Sequence, residues 1–417
     1  MPMSQVFPQS IGYAARIAFV VELAERLHAY GTTAQRLEGA LVSVSQKLGL
    51  ECEPMANPTG MVLAFSDPTR PPGDSDTTRV IRVPPGDNDL AKLCEADRIA
   101  EEVMAGHVGL AEGYAALRAL DRPPVLRERV LMVLAFGLAS ASVAGLLRLP
   151  WLDIGAAGLI GLLVGMVDWI SAARPRLREA GEAISAMLAA TVAIIVASFI
   201  GPLNLNTVVI AALIVLVPGM TLTNAVNELT SQHLMSGTAR FAGAISTMLK
   251  LTVGTMIALT AAQILGVEPQ VRALRPQPDW VEWGALFTGV LAFAVLFRAA
   301  RRDYPLVMLA AMAGYLIPRL VGDSWGSTAG IFLSALVLTA AGNGYARWAH
   351  RPGALVRVPG IILMVPGSTS VRSLLTLIQQ QDFGAGQEAA MAVLNILLAL
   401  IAGLLFGNLL LPTRRNL

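Results

Sequence analysis

Charged residues are scarce in this chain. Only 14% of its 417 residues are Asp, Glu, Lys or Arg, 54% are hydrophobic, and the mean hydropathy is +0.60. Soluble globular chains carry about 25% charged residues, so the composition excludes an ordinary soluble protein and implies an integral membrane one. Cysteine is nearly absent. Cys52 and Cys94 have no CxxC spacing and no neighbouring His pair, which argues against a zinc site or a disulfide scaffold and for two reduced core residues. The net charge of +2 is small and no Arg/Lys run with interleaved aromatics occurs, so nucleic acid is not an expected partner. The apolar run Ile17 to Val21 is short and is interrupted by Glu22, so no secretory signal is expected. There is no phosphate-binding glycine loop, and no metal or cofactor is expected.

The charges that are present fall unevenly. Residues 1–122 hold 11 Lys+Arg and 16 Asp+Glu, leaving 20 basic and 13 acidic residues for the remainder. A slightly acidic soluble domain, 1–122, therefore precedes a basic-flanked membrane region. Within that domain, 13–30 and 33–48 have helical spacing, with Ala34, Leu37, Leu41, Val44 and Leu48 on one face. Residues 51–56, 60–66 and 78–83 read as short strands, and 88–105 and 108–120 return to helix. The linker Asp121-Arg122-Pro123-Pro124 closes a small α+β domain.

From Arg127 onward ten apolar segments follow: 128–147, 154–172, 180–201, 205–232, 237–265, 281–299, 304–321, 325–346, 354–380 and 385–411. A membrane span needs about 20 helical residues. The predicted fold is an α-helical polytopic membrane protein of ten spans in two five-helix units, 127–270 and 280–412. Because each unit has an odd number of spans, the second enters the bilayer from the opposite side and the repeat is inverted. With the α+β domain in the cytoplasm, inner loops and tail carry fourteen arginines and outer loops four, a positive-inside bias that places both termini in the cytoplasm. Gly155, Gly158, Gly161 and Gly165 give the second span a smooth stripe suited to close helix packing.

The fourth segment of each unit carries the same motif. Leu213 to Thr230 reads LIVLVPGMTLTNAVNELT, Ile361 to Leu377 reads IILMVPGSTSVRSLLTL, and the two Val-Pro-Gly triplets are offset by 148 residues. Proline removes a backbone donor and glycine tolerates non-helical angles, so each helix should break there and restart at Thr221 or Ser368. Broken helices in corresponding halves point to a transporter's central site, where restarting helices aim free N–H groups and positive dipole ends at an anionic group such as a carboxylate. The candidate substrate-binding residues are Gly219, Thr221, Thr223, Asn224 and Asn227 in the first copy. Those in the second are Gly367, Ser368, Thr369, Ser370 and Arg372. Lys250 and Arg372 are expected deep in the membrane, where an unpaired charge costs at least about 2.5–3.5 kcal/mol. Lys250, Asp168 and Glu228 are the candidate ion-coupling groups. The Pro359-Gly360 pair also lies in the second broken segment and has no counterpart in the first.

At this point the chain resembles the threonine/serine exporter family over essentially its whole length. LAERLHAYGTTAQRLEGALVSVSQKLGL and PTGMVLAFSDP are similar to the family's N-terminal cytosolic domain, and the two VPG-containing units to its ten-span membrane region. The resemblance implies proton-driven efflux of small hydroxy amino acids across a bacterial inner membrane, with protons, lipid and a small amino acid or carboxylate as partners. It also admits homo-oligomers. Related two-part systems imply export of a dicarboxylate such as succinate as the alternative. Two other readings follow from the residues alone: a membrane enzyme with a catalytic soluble domain, weakened by the lack of a nucleophile–base pair there, and a passive channel.

Overall fold

The computed structural model describes residues 12–71, 76–271, 276–364 and 383–412. The N-terminal unit comprises α1 (Tyr13–Ala29), α2 (Ala34–Lys47), β1 (Glu51–Asn57), β2 (Gly60–Ser66), β3 (Thr77–Arg82), α3 (Leu90–Met104) and α4 (Leu110–Ala119). The three strands form one antiparallel sheet in the order β1-β2-β3, with Asn57 opposite Gly60 across a two-residue turn. Alternate residues Met61, Leu63 and Phe65 of β2 are buried, as period-two burial on one sheet face requires. They pack into a core with Phe19, Leu23 and Leu27 of α1 and Leu37, Leu41 and Val44 of α2.

The membrane unit follows as α5 (Leu126–Leu146), α6 (Trp151–Ala172), α7 (Pro175–Phe199), α8 (Leu205–Ala212), α9 (Gly219–Thr230), α10 (Leu234–Ile264), α11 (Asp279–Leu296), α12 (Tyr304–Trp325), α13 (Ser327–Ala349), α14 (Ala354–Ile362) and α15 (Phe383–Leu410). Among the described residues eight helices are long and apolar enough to cross a membrane: α5, α6, α7, α10, α11, α12, α13 and α15. The first Pro-Gly segment is broken where the sequence predicts. Helix α8 stops at Ala212, a turn runs through Val217, and α9 restarts at Gly219, two residues before the expected Thr221. Neither half reaches spanning length alone. In the second segment α14 runs through Pro359-Gly360 without a break and packs closely on α12, where Gly314 permits the approach: a Cβ there would lie 1.8 Å from the Gly360 carbonyl oxygen. The second Val-Pro-Gly motif, with Gly367, Ser368, Thr369, Ser370 and Arg372, lies outside the described residues.

Three of the four glycines on α6 face α5. Gly158 meets Ala141, Gly161 meets Ser140 and Gly165 meets Phe136, whereas Gly155 faces open space. Small residues at this spacing let the two backbones approach, and dispersion between them replaces the hydrophobic drive that lipid does not supply.

The two units are not separate bodies joined by a linker. The N-terminal core runs on into Phe293 and Phe297 at the end of α11, Val307 of α12 and Leu355 of α14. The start of α3 is tied to the end of α11 through the backbone: Leu90 N donates to Phe297 O at 3.0 Å and Ala91 N to Arg298 O at 3.2 Å. The orphan amides of one helix thus satisfy the orphan carbonyls of another. The Asp89 carboxylate caps the same turn by accepting from Lys92 N at 3.0 Å.

Candidate functional site

Below the break, α9 turns Met220, Thr223, Asn224 and Asn227 to one side, the i, i+3, i+4, i+7 spacing of a single helical face. Helix α14 presents Ala354, Arg357, Val358 and Ile361 in the same register, and Leu404 of α15 completes the wall. These faces enclose a cavity of about 100 Å³. Tyr30 to Thr33, Arg36, Asn88, Leu90 and Leu93 of the α+β unit form its remaining side. The cavity therefore lies between α9 and α14, where the N-terminal unit sits on them.

Its polar inventory is specific. Thr32 and Thr223, 8% and 1% exposed, each have a hydroxyl oxygen with no hydrogen-bond partner among the described residues. A buried hydroxyl left unmatched costs about 1–3 kcal/mol, and both residues border the cavity. Arg357 is 9% exposed and Arg36 is partly buried, and no acidic side chain lines the cavity among the described residues. Burial without a nearby counter-charge pushes the Arg36 guanidinium down to about 10, still fully protonated at neutral pH.

The other candidates are placed as follows. Thr223, Asn224 and Asn227 line the cavity, whereas Gly219 and Thr221 do not. Glu228 points away from it, fully buried, and is fastened: it accepts from Ala34 N at 3.0 Å, Ser236 Oγ at 2.7 Å and Arg240 Nε at 3.0 Å. Lys250 is not a buried mid-span cation. Its ammonium lies 3.5 Å from Glu182, with the lysine side chain 39% exposed. The reason is length, because the 31 residues of α10 extend for about 46 Å, well beyond a hydrocarbon core of about 30 Å. Gly254 lies against Ala183 near the start of α7, so Lys250, one turn earlier, is near that end of the bundle and not at its middle. Asp168, in the last turn of α6, is exposed, has Asp87, Arg298 and Glu182 as charged neighbours, and does not line the cavity.

Arg36 and Arg357 escape sequence reasoning. Position 357 reads as one more loop arginine of the inner side, and Arg36 belongs to a helix that looks like part of an independent soluble domain. The available signal is the helical spacing from Ala354 to Ile361, which would have put Arg357 on an apolar helix face.

Two models of the threonine/serine exporter family match the chain, one over residues 18–262 and one over residues 284–410. The chain belongs to the threonine/serine exporter family. It is thus a multi-pass membrane protein in which both family modules are fused. Among curated proteins it is similar to an uncharacterized protein of Schizosaccharomyces pombe, 23% identical over 395 residues that cover 91% of this chain and 50% of the relative. It is also similar to pheromone-regulated membrane protein 10 of Yarrowia lipolytica, 24% identical over 386 residues, covering 88% of this chain and 31% of the relative. The Saccharomyces cerevisiae protein of the same name is 24% identical over 382 residues, covering 88% and 48%. The chain thus spans half or less of these relatives. All three are fungal, which gives no support to the bacterial inner membrane expected from the resemblance. No solved structure matches the chain.

Proposed function

We propose that this protein is a secondary active exporter of small hydroxy amino acids, threonine or serine, working by alternating access around its two broken segments. The observation that carries the reading is the cavity beneath the Pro218 break, where one face of α9 offers Thr223, Asn224 and Asn227 to a small polar ligand. A water-sized group needs about 10–15 Å³, so about 100 Å³ admits roughly seven to ten such groups, the scale of a small amino acid. Gly219 and Thr221 shape the break, and Gly367, Ser368, Thr369, Ser370 and Arg372 are assigned to the matching half-site. In this reading the eight long helices and the two broken segments make ten spans in two inverted units, with the α+β unit and both termini in the cytoplasm. Protons are the coupling ion. Asp168 is the better carrier than Glu228, whose two oxygens are already held by four hydrogen bonds from donors.

The test is efflux of labelled L-threonine from proteoliposomes. Saturable efflux that collapses with a protonophore, and weakens in Asn224→Ala, supports the reading. Non-saturable flux unaffected by the protonophore means a passive channel, and no flux of threonine or serine ends the assignment.

A further inference from the structure

Several arginines at the junction of the two units are paired with carboxylates: Arg240 with Glu228, Arg351 with Asp303 and Arg298 with Asp89. Arg36 and Arg357 have no carboxylate within ion-pair distance among the described residues, yet both face the same cavity. An uncompensated charge in a buried site is costly. Two such arginines lining one cavity, with unpartnered threonine hydroxyls beside them, describe a site completed by an anion that is not part of the chain.

We propose that Arg36 and Arg357 together bind the carboxylate of the transported molecule, one guanidinium from the α+β unit and one from the membrane unit. The N-terminal unit is then a contributor to the substrate site and not only a regulator beside it. The ligand chemistry follows from the wall. Guanidinium forks match carboxylates with two parallel N–H···O bonds, Thr32 and Thr223 can bond a hydroxyl or amine, and a cavity of about 100 Å³ suits a small ligand. Because Arg36 sits two residues beyond Ala34, whose amide is held by Glu228, the same short stretch both docks the unit and reads the ligand. Ligand bound across the junction ties the two units together, and its release leaves two like charges facing one cavity.

This rests on the transport reading for the ligand's identity, so the experiment separates the two. Binding to the purified full chain in detergent is measured by calorimetry and thermal shift, using L-threonine, malonate, and malonamide as a neutral probe of malonate's size. The proposal expects malonate or threonine to bind, malonamide not to, and Arg36→Gln and Arg357→Gln each to weaken carboxylate binding about tenfold or more, with Arg36→Lys intermediate. Malonate binding that is lost in both variants, without any response to threonine, upholds the anion site and refutes the hydroxy amino acid. Equal binding of malonamide and malonate, or affinity and threonine efflux within about twofold of wild type in both variants, overturns the site and leaves transport standing. Should Arg357→Gln fail to fold, Arg36→Gln, on a partly buried helix of the N-terminal unit, decides alone.

Discussion

Glu228 and Ala34 are 194 residues apart, and the carboxylate of one accepts the backbone N–H of the other at 3.0 Å. The contact ties the first turn of α2 to the far side of α9, one helical step from the cavity, and Arg240 and Ser236 hold the same carboxylate from α10.

Removing that carboxylate should loosen the junction. Glu228→Ala strands Arg240 and the Ala34 amide, and the expected loss is about 3 kcal/mol or more of folding stability. Hydrogen exchange should rise selectively over residues 31–38. If Glu228 were instead the proton carrier, Glu228→Gln would leave exchange unchanged and abolish the response of efflux to a pH gradient.

Gly31 should resist substitution. It lines the cavity at φ +83°, and an added Cβ would lie 2.8 Å from Asn88 Oδ1 and 3.1 Å from Asp87 O. Gly31→Ala is expected to cost about 1–3 kcal/mol from the backbone conformation alone and to weaken threonine binding by displacing Asn88, as calorimetry would show.

Lys250 should matter little. The pair with Glu182 is open to its surroundings on both sides, and such pairs contribute about 0–1 kcal/mol. Lys250→Met should retain efflux and shift thermal stability by no more than that range allows. Loss of transport in this variant would restore a coupling role.

Acid should weaken the N-terminal unit through Asp67. The hydroxyl and amide of Thr69 and the Arg16 guanidinium hold its carboxyl down to about 2, from an ordinary 3.8. The folded value is the lower one, so its contribution, about 2 kcal/mol at 1.36 kcal/mol per unit, is complete well above pH 4. It is lost as the pH falls from about 4 toward 2. Denaturation of wild type and Asp67→Asn should differ at pH 7 and converge near pH 2.

Much of this architecture is legible in the residues. The period change from helix to strand between Leu48 and Glu51 gives the α+β unit, and Pro218-Gly219 gives the broken helix to within two residues, because both are local backbone effects. The failures are tertiary. Glu228, Asn224 and Thr221 do form one stripe within about 60° of arc on α9, but the helix is rotated so that Met220, Thr223, Asn224 and Asn227 face the cavity and only Asn224, at the stripe's edge, belongs to both. Lys250 looks central because helix length was equated with membrane thickness, and Glu182, its partner, sits on α7, 68 residues earlier. Arg36 and Arg357 acquire meaning only once α2 is set down on α14's neighbour, which no spacing within either helix encodes.

The seam between α3 and α11 has a practical corollary for dissecting this molecule. Cutting the chain near residue 122 would uncover the rings of Phe293 and Phe297 and leave the carbonyls of Phe297 and Arg298 without their donors. Both fragments would be born with a sticky scar, so co-expression of the halves, allowing each to mend the other, is the sounder route than purifying either by itself.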